Sequence, residues 1–187
     1  METEMTVWFT ADTHFGHANV LALSRRPFAD IRDHDEALVA SWNARVGRGD
    51  EVWHLGDFAL GLDETALSRL FGRLNGRKHL IVGNHDARRT LRLPWSSQPE
   101  QMREIVVDHR RIVLCHYALR SWRRIHGGAV HLYGHTHGRI PGTRNSEDAG
   151  VDAWGYAPVA LPDLLMRMAG NTVLEDELRL AAGEGDA

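Results

Sequence analysis

Cysteine is almost missing from this chain: Cys115 is the only one in 187 residues. An internal disulfide is therefore impossible, a multi-cysteine zinc or iron–sulfur site is excluded, and any metal must be held by nitrogen and oxygen. Lysine is equally scarce, Lys78 standing alone among 22 basic residues. A GC-rich genome produces that arginine bias as readily as selection for phosphate binding does. No window approaches the roughly 20 consecutive apolar residues of a membrane span. The opening METEMTVWFT also lacks the basic-then-apolar order of a signal peptide, so the expectation is a cytoplasmic protein with no membrane association. Nor is there an excess of positive charge: a net charge of −3 gives no whole-molecule attraction to nucleic acid.

What is present is ordinary for a folded enzyme-sized chain, with 43% apolar and 25% charged residues. This length suits one core. The expected organisation is a single domain over 1–169 and a helical or frayed acidic tail over 170–187, with a helix at about 173 to 182. The first half alternates strand and helix. Strands are predicted at 5–11, 51–57 and 78–83, and helices at 34–46 and about 63–74, with a short Arg-rich helix before Pro94. The second half reads mostly as strands, at 104–108, 111–115, 130–134 and within 151–159. Residues 141–150, PGTRNSEDAG, read as a mobile loop, followed by Asp152, whose role stays open. Such a pattern implies an α/β layered domain with a mixed sheet or two packed sheets. Trp8, Trp42, Trp53 and Trp95 read as core or surface anchors.

Five segments place metal-binding side chains just past an apolar strand: Asp12-Thr-His14, Gly56-Asp57, Gly83-Asn84-His85-Asp86, Cys115-His116 and Gly134-His135-Thr136-His137. Strand C-termini are where open α/β sheets bind ligands, so five such tips can converge. In extended backbone, residues i and i+2 face the same side, which pairs Asp12 with His14 and His135 with His137. Asp57, the lone carboxylate at its strand end, is the natural bridge between two ions. The nitrogen-rich donor set suits Mn, Fe, Co, Ni or Zn better than Mg or Ca.

These residues, D-x-H, G-D, G-N-H-D, H and G-H-x-H in order from 12 to 137, resemble the calcineurin-like metallophosphoesterase superfamily. FTADTHFGHAN, VWHLGDF, LCHYALRSW, HLYGHTHG and GVDAWGYAPV are similar to its small bacterial and phage-type members. The resemblance implies a four-layer αββα sandwich of two mixed β-sheets flanked by helices, with a dinuclear site at the strand ends. It further implies that Asp12, His14 and His137 hold one divalent ion, Asn84, His116 and His135 a second, and that Asp57 bridges them. His85, left without a metal, resembles the general acid or transition-state stabiliser, with Asp86 placed to orient its imidazole. The implied reaction is in-line attack on phosphorus by a hydroxide made at two ions roughly 3.5–4 Å apart, which needs no protein nucleophile.

For substrate contacts the candidates are His17, Asn84 and Arg120, with Asn19 beside them. Arg120, Arg123, Arg124 and His126 form either a basic rim or a solvated charged face. His34, His54, His79, His109, His126 and His131 have no motif context and receive no catalytic role. The expected substrate is a small phosphoester, with phosphodiester or nucleotide-like molecules ahead of simple monoesters. A nuclease is a second reading, weakened because the chain has little beyond the core. A catalytically silent metal-binding scaffold is a third, weakened because every motif position is filled.

Overall fold

The computed structural model describes residues 5–173. In chain order the elements are β1 (Val7–Thr10), α1 (Val20–Leu23), α2 (Ile31–Arg45), β2 (Glu51–His54), α3 (Glu64–Arg73), β3 (Arg77–Leu80), α4 (Arg88–Leu91), β4 (Met102–Val107), β5 (Arg110–Cys115), β6 (Val130–Tyr133), β7 (Ser146–Asp148), β8 (Val159–Ala160) and α5 (Leu161–Ala169). A 3-10 turn at Val151–Ala153 precedes β8. One sheet runs β3-β2-β1-β8 and the other β4-β5-β6-β7. Each is mixed: β8 is antiparallel to β1 and β4 is antiparallel to β5, while the remaining pairings are parallel. Two mixed sheets flanked by helices are thus the observed architecture.

Period-two alternation sorts the first sheet's side chains between two cores. Phe9, Trp53, Leu55 and Ile81 face the second sheet's Ile112, Leu114, Val130 and Leu132. Val52 and the partly buried Trp8 face the helices instead, meeting Leu38, Val39 and Trp42 of α2 and Leu67, Leu70 and Phe71 of α3. These helices start at capped positions: Asp30 accepts from the amides of Arg32 and Asp33, and Asp63 from that of Ala66. A smaller cluster of Val113, Trp122, Ile125 and Ala129 covers the far face of the second sheet. The segment that contributes Trp122 and Ile125 is turn-rich rather than helical.

Three expectations need correction. Residues 141–150 are not a mobile loop, because Ser146–Asp148 is a buried strand at the sheet edge. It carries no apolar pattern and is held by polar contacts, Glu147 accepting from Asn171 and Asp148 from Thr136 and from the amides of Gly138 and Gly150. The expected strand within 151–159 shrinks to β8, since Gly155 and Tyr156 both take left-handed φ, at 63°, and break the extended run. Helix α5 has no counterpart among the expected elements, and its Leu161, Leu164 and Met168 belong to the core between the sheets. Of the expected helix at about 173 to 182, only Val173 lies within the described residues.

Buried histidine also shapes the second sheet. In β6, His131 is fully buried, its Nδ1–H donating to the Val113 carbonyl and its Nε2 accepting from the Leu119 amide. That pins the segment after His116. Burial holds the ring neutral, its pKa pushed down from 6.5 to about 4. Because the folded value is depressed, the unfolded chain binds the extra proton first as pH falls. The stabilisation is complete above about pH 6.5 and is lost progressively toward pH 4, amounting to about 3 kcal/mol at the limit. Urea unfolding at pH 7 and 4.5 should therefore show a drop about 2–3 kcal/mol larger in the parent than in His131→Gln. Equal drops would remove His131 as the origin.

Candidate metal centre

Every candidate ligand segment leaves the C-terminal end of a strand. Asp12 and His14 follow β1, Asp57 follows β2, Asn84 follows β3, His116 follows β5, and His135 and His137 follow β6. Backbone bonds tie these ends together: the Asp12 amide donates to Gly56, the His14 amide to Asp57, and the Gly134 amide to His116, each at 3.0 Å. Close approach requires glycine at two of them. A Cβ on Gly134 would lie 2.5 Å from the Ala11 side chain and 2.8 Å from Asp12 Oδ2, and one on Gly56 would lie 2.5 Å from His116 Nδ1.

The result is two clusters. Donor atoms of Asp12, His14 and His137 lie within 4.8 Å of one another, and so do those of Asp57, His116 and His135. Asp57 Oδ2 sits between them, 3.6 Å from both His14 Nε2 and His116 Nε2. Asn84 Oδ1 lies 3.1 Å from His116 Nε2. All seven sequence-derived ligands are therefore brought together. Asp12, His14, Asp57, His135 and His137 also adopt left-handed φ, between 49° and 65°. That region is sparsely used by non-glycine residues and concentrates at functional sites.

Partners on the far side of the His116 and His137 rings fix their tautomers. His116 Nδ1–H donates to the Leu55 carbonyl at 2.8 Å, which turns the Nε2 lone pair toward Asp57 and Asn84. His137 Nδ1–H donates to Asp152 Oδ2 at 2.7 Å, with Ser24 Oγ at 3.1 Å. Asp152 is itself clamped by Arg26 through Nε and Nη2, at 2.9 and 2.7 Å. Arg26, fully buried but for 4%, also donates to the carbonyls of Asp12 and Thr13 and to His34 Nε2. His34 in turn donates to Asp35, which accepts from the Gly16 amide. One guanidinium thus connects the first ligand loop, α2 and His137. Behind Thr13, whose hydroxyl donates to the Phe58 carbonyl, stands the buried His54 with Nε2 at 2.9 Å. Burial and the neighbouring His116 hold His54 neutral, with a pKa of about 3.

The electrostatics fit the binding of divalent metal. Both ring nitrogens of His14 are buried without a hydrogen-bond partner, an arrangement that is costly unless something else meets the lone pair. A charged His14 would pair with Asp57, but burial, followed by His137 and Arg26, pushes its pKa down to about 2 and keeps the ring neutral. His116 is also pushed down, chiefly by burial. The Asp12 carboxyl is raised well above its usual range by burial and by the nearby charges of Asp148 and Asp57, although both its oxygens accept from the His135 amide. Neutral imidazoles facing crowded, buried carboxylates form a donor set suited to divalent cations.

His85 is exposed above these groups, its ring 5.5 Å from that of His14 and its amide donating to Asp57 Oδ1 at 2.8 Å. The expected pairing with Asp86 is not what the geometry has. The Asp86 carboxylate accepts from the amides of Asp57, Phe58 and Gly83, at 2.8–2.9 Å, so it braces the backbone beneath the site. Burial nevertheless raises its pKa to about 6. His17 is close, its ring 5.3 Å from His14 and 6.2 Å from His85. Asn19 is the exposed residue that opens α1. A cavity of about 500 Å³ opens over His14, Asp57, His85, His135 and His137, and Arg139 lines it where sequence reasoning had chosen the exposed Arg120. Arg139 lies two residues beyond His137, so the motif's flank carried that signal. Arg26 had none.

Comparison with known proteins agrees with this geometry. Residues 5–151 match the calcineurin-like phosphoesterase superfamily domain. The "Gene 66 protein" of Mycobacterium phage D29 is 36% identical over 180 residues, covering 79% of this chain and 88% of the phage protein. An uncharacterised protein of Methanocaldococcus jannaschii is 29% identical over 170 residues, covering 87% of this chain and 90% of its own length. Among solved structures, a protein of unknown function from Aquifex aeolicus has the same fold at a TM-score of 0.68 and 22% identity, covering 86% of this chain and 97% of its own.

Proposed function

Since the chain belongs to the calcineurin-like phosphoesterase superfamily, we propose that it hydrolyses phosphoester bonds at a pair of divalent cations, with phosphodiester or nucleotide-like substrates ahead of simple monoesters. One observation carries the reading: two donor clusters meet at a single carboxylate, Asp57. Asp12, His14 and His137 would hold one ion and Asn84, His116 and His135 the other, with Asp57 shared. Nitrogen-rich coordination favours manganese, iron, cobalt, nickel or zinc. Such a pair supplies charge neutralisation for the phosphate and an acidified water as nucleophile.

The chain's own residues do the rest. His85 stands exposed at the cavity, where its imidazole can hydrogen-bond or protonate the departing ester oxygen. His17, whose ring lies 6.2 Å from that of His85, would donate to a non-bridging oxygen. Asp152 and Arg26 keep the His137 lone pair aimed inward, and Asp86 holds the turns that carry Asp57 and Asn84. The cavity is open, leaving room for the second substituent of a diester.

The test is hydrolysis of p-nitrophenyl phosphate, bis(p-nitrophenyl) phosphate and a cyclic nucleotide after chelation and reloading with Mn²⁺, Ni²⁺, Zn²⁺ or Mg²⁺. Chelation should abolish turnover and a transition metal should restore it, with the diesters cleaved faster than the monoester. Absence of hydrolysis with every ion would sink the proposal.

A further inference from the structure

The cavity above the ligand clusters has two unlike parts. Its lining combines imidazole and carboxylate groups with aliphatic side chains, Val20 and Leu23 from α1 and Ile140 from the loop after His137. Leu23 is 69% exposed and Ile140 52% exposed, and neither belongs to or packs against the apolar cores. Large apolar side chains left in water at the mouth of an ionisable pocket mark a surface meant to be covered by a ligand. Arg139 lines the same cavity. Its Nε–H and backbone amide both donate to the Thr136 carbonyl, at 3.2 and 3.0 Å, which ties one edge of the guanidinium to the turn bearing His135 and His137. Among the described residues the two terminal amino groups meet no hydrogen-bond acceptor, and a guanidinium held this way presents a preoriented fork to phosphate oxygens.

We propose that these aliphatic lining residues and Arg139 select the organic part of the substrate. The substrate is a phosphoester whose organic group presents a flat ring face, as an aryl or nucleoside group does. The ring lies on Leu23 and Ile140 while Arg139 holds a phosphate oxygen. About 500 Å³ is room for one such unit. The inference rests on the phosphoester reading above and adds the chemical class of the group attached to phosphorus.

Non-hydrolysable probes separate the two claims. Calorimetric titration of the Mn²⁺-loaded full chain with phenylphosphonate and methylphosphonate should give about tenfold tighter binding of the phenyl compound. In Leu23→Ser/Ile140→Ser, both positions being solvent-exposed, that preference should fall to near unity while methylphosphonate binding stays within about twofold. Arg139→Ala should weaken both probes by a similar factor. Equal affinities in the parent, or a preference kept in the double variant, overturns the inference while bis(p-nitrophenyl) phosphate hydrolysis leaves the phosphoester reading standing. If neither phosphonate binds and no ester is cleaved, both fall.

Discussion

Asp57→Asn should leave a folded chain that holds neither metal and turns over bis(p-nitrophenyl) phosphate about 10³-fold or more slowly, beyond the 10–100-fold typical of losing an outer-sphere partner. The carboxylate is the one group shared by the two clusters, with Oδ2 3.6 Å from a nitrogen of each. Its Oδ1 anchors the His85 amide, a bond that the asparagine oxygen keeps. The new amide nitrogen then faces the lone pairs of His14 and His116 and donates to them. A hydrogen bond thus takes the place where a cation would lie, the bridging charge is gone, and the fold loses little. Metal analysis together with thermal unfolding distinguishes this from collapse. Two ions per chain retained in the variant would show that Asp57 is not the bridge.

His85→Ala should do the reverse, keeping the metals and losing about 10²–10⁴-fold in turnover. The imidazole is exposed and its side chain makes no part of either donor cluster. Proton donation matters most when the departing oxygen is basic. The loss should therefore be larger for an alkyl alcohol leaving group than for p-nitrophenolate, whose anion departs without help. Parallel rate measurements on the two leaving groups, with metal content as control, check both points. An equal loss for both would reassign His85 to positioning, and unchanged turnover would remove it from the reaction.

How much of this was legible in the sequence depended on the range of the interaction. The side chains that form the two clusters were readable because each follows a short apolar run and two pairs lie at i, i+2 spacing, both local signals. Arg26 was not, since its partner Asp152 lies 126 residues away and neither flank hints at the other. Adjacency misled at Asp86: sitting next to His85 suggested a partnership, but the tight turn sends the carboxylate to three amides instead. Strand β7 escaped because burial of Ser146, Glu147 and Asp148 contradicts the apolar pattern by which strands are found. Helix α5 was not among the expected elements, though its Leu161, Leu164 and Met168 face the core at helical spacing.

Five of the converging side chains sit on left-handed backbone. A strand that must stop at a sheet edge and reverse within a residue or two needs such a conformation, and apart from glycine the residues that accept it best are asparagine, aspartate and histidine. Those are also oxygen and nitrogen donors. The backbone's requirement for an abrupt halt and the cation's requirement for donors are met by the same short alphabet. Several strand tips ending side by side would acquire a coordinating surface as a by-product of turning, before any selection for catalysis acted on it.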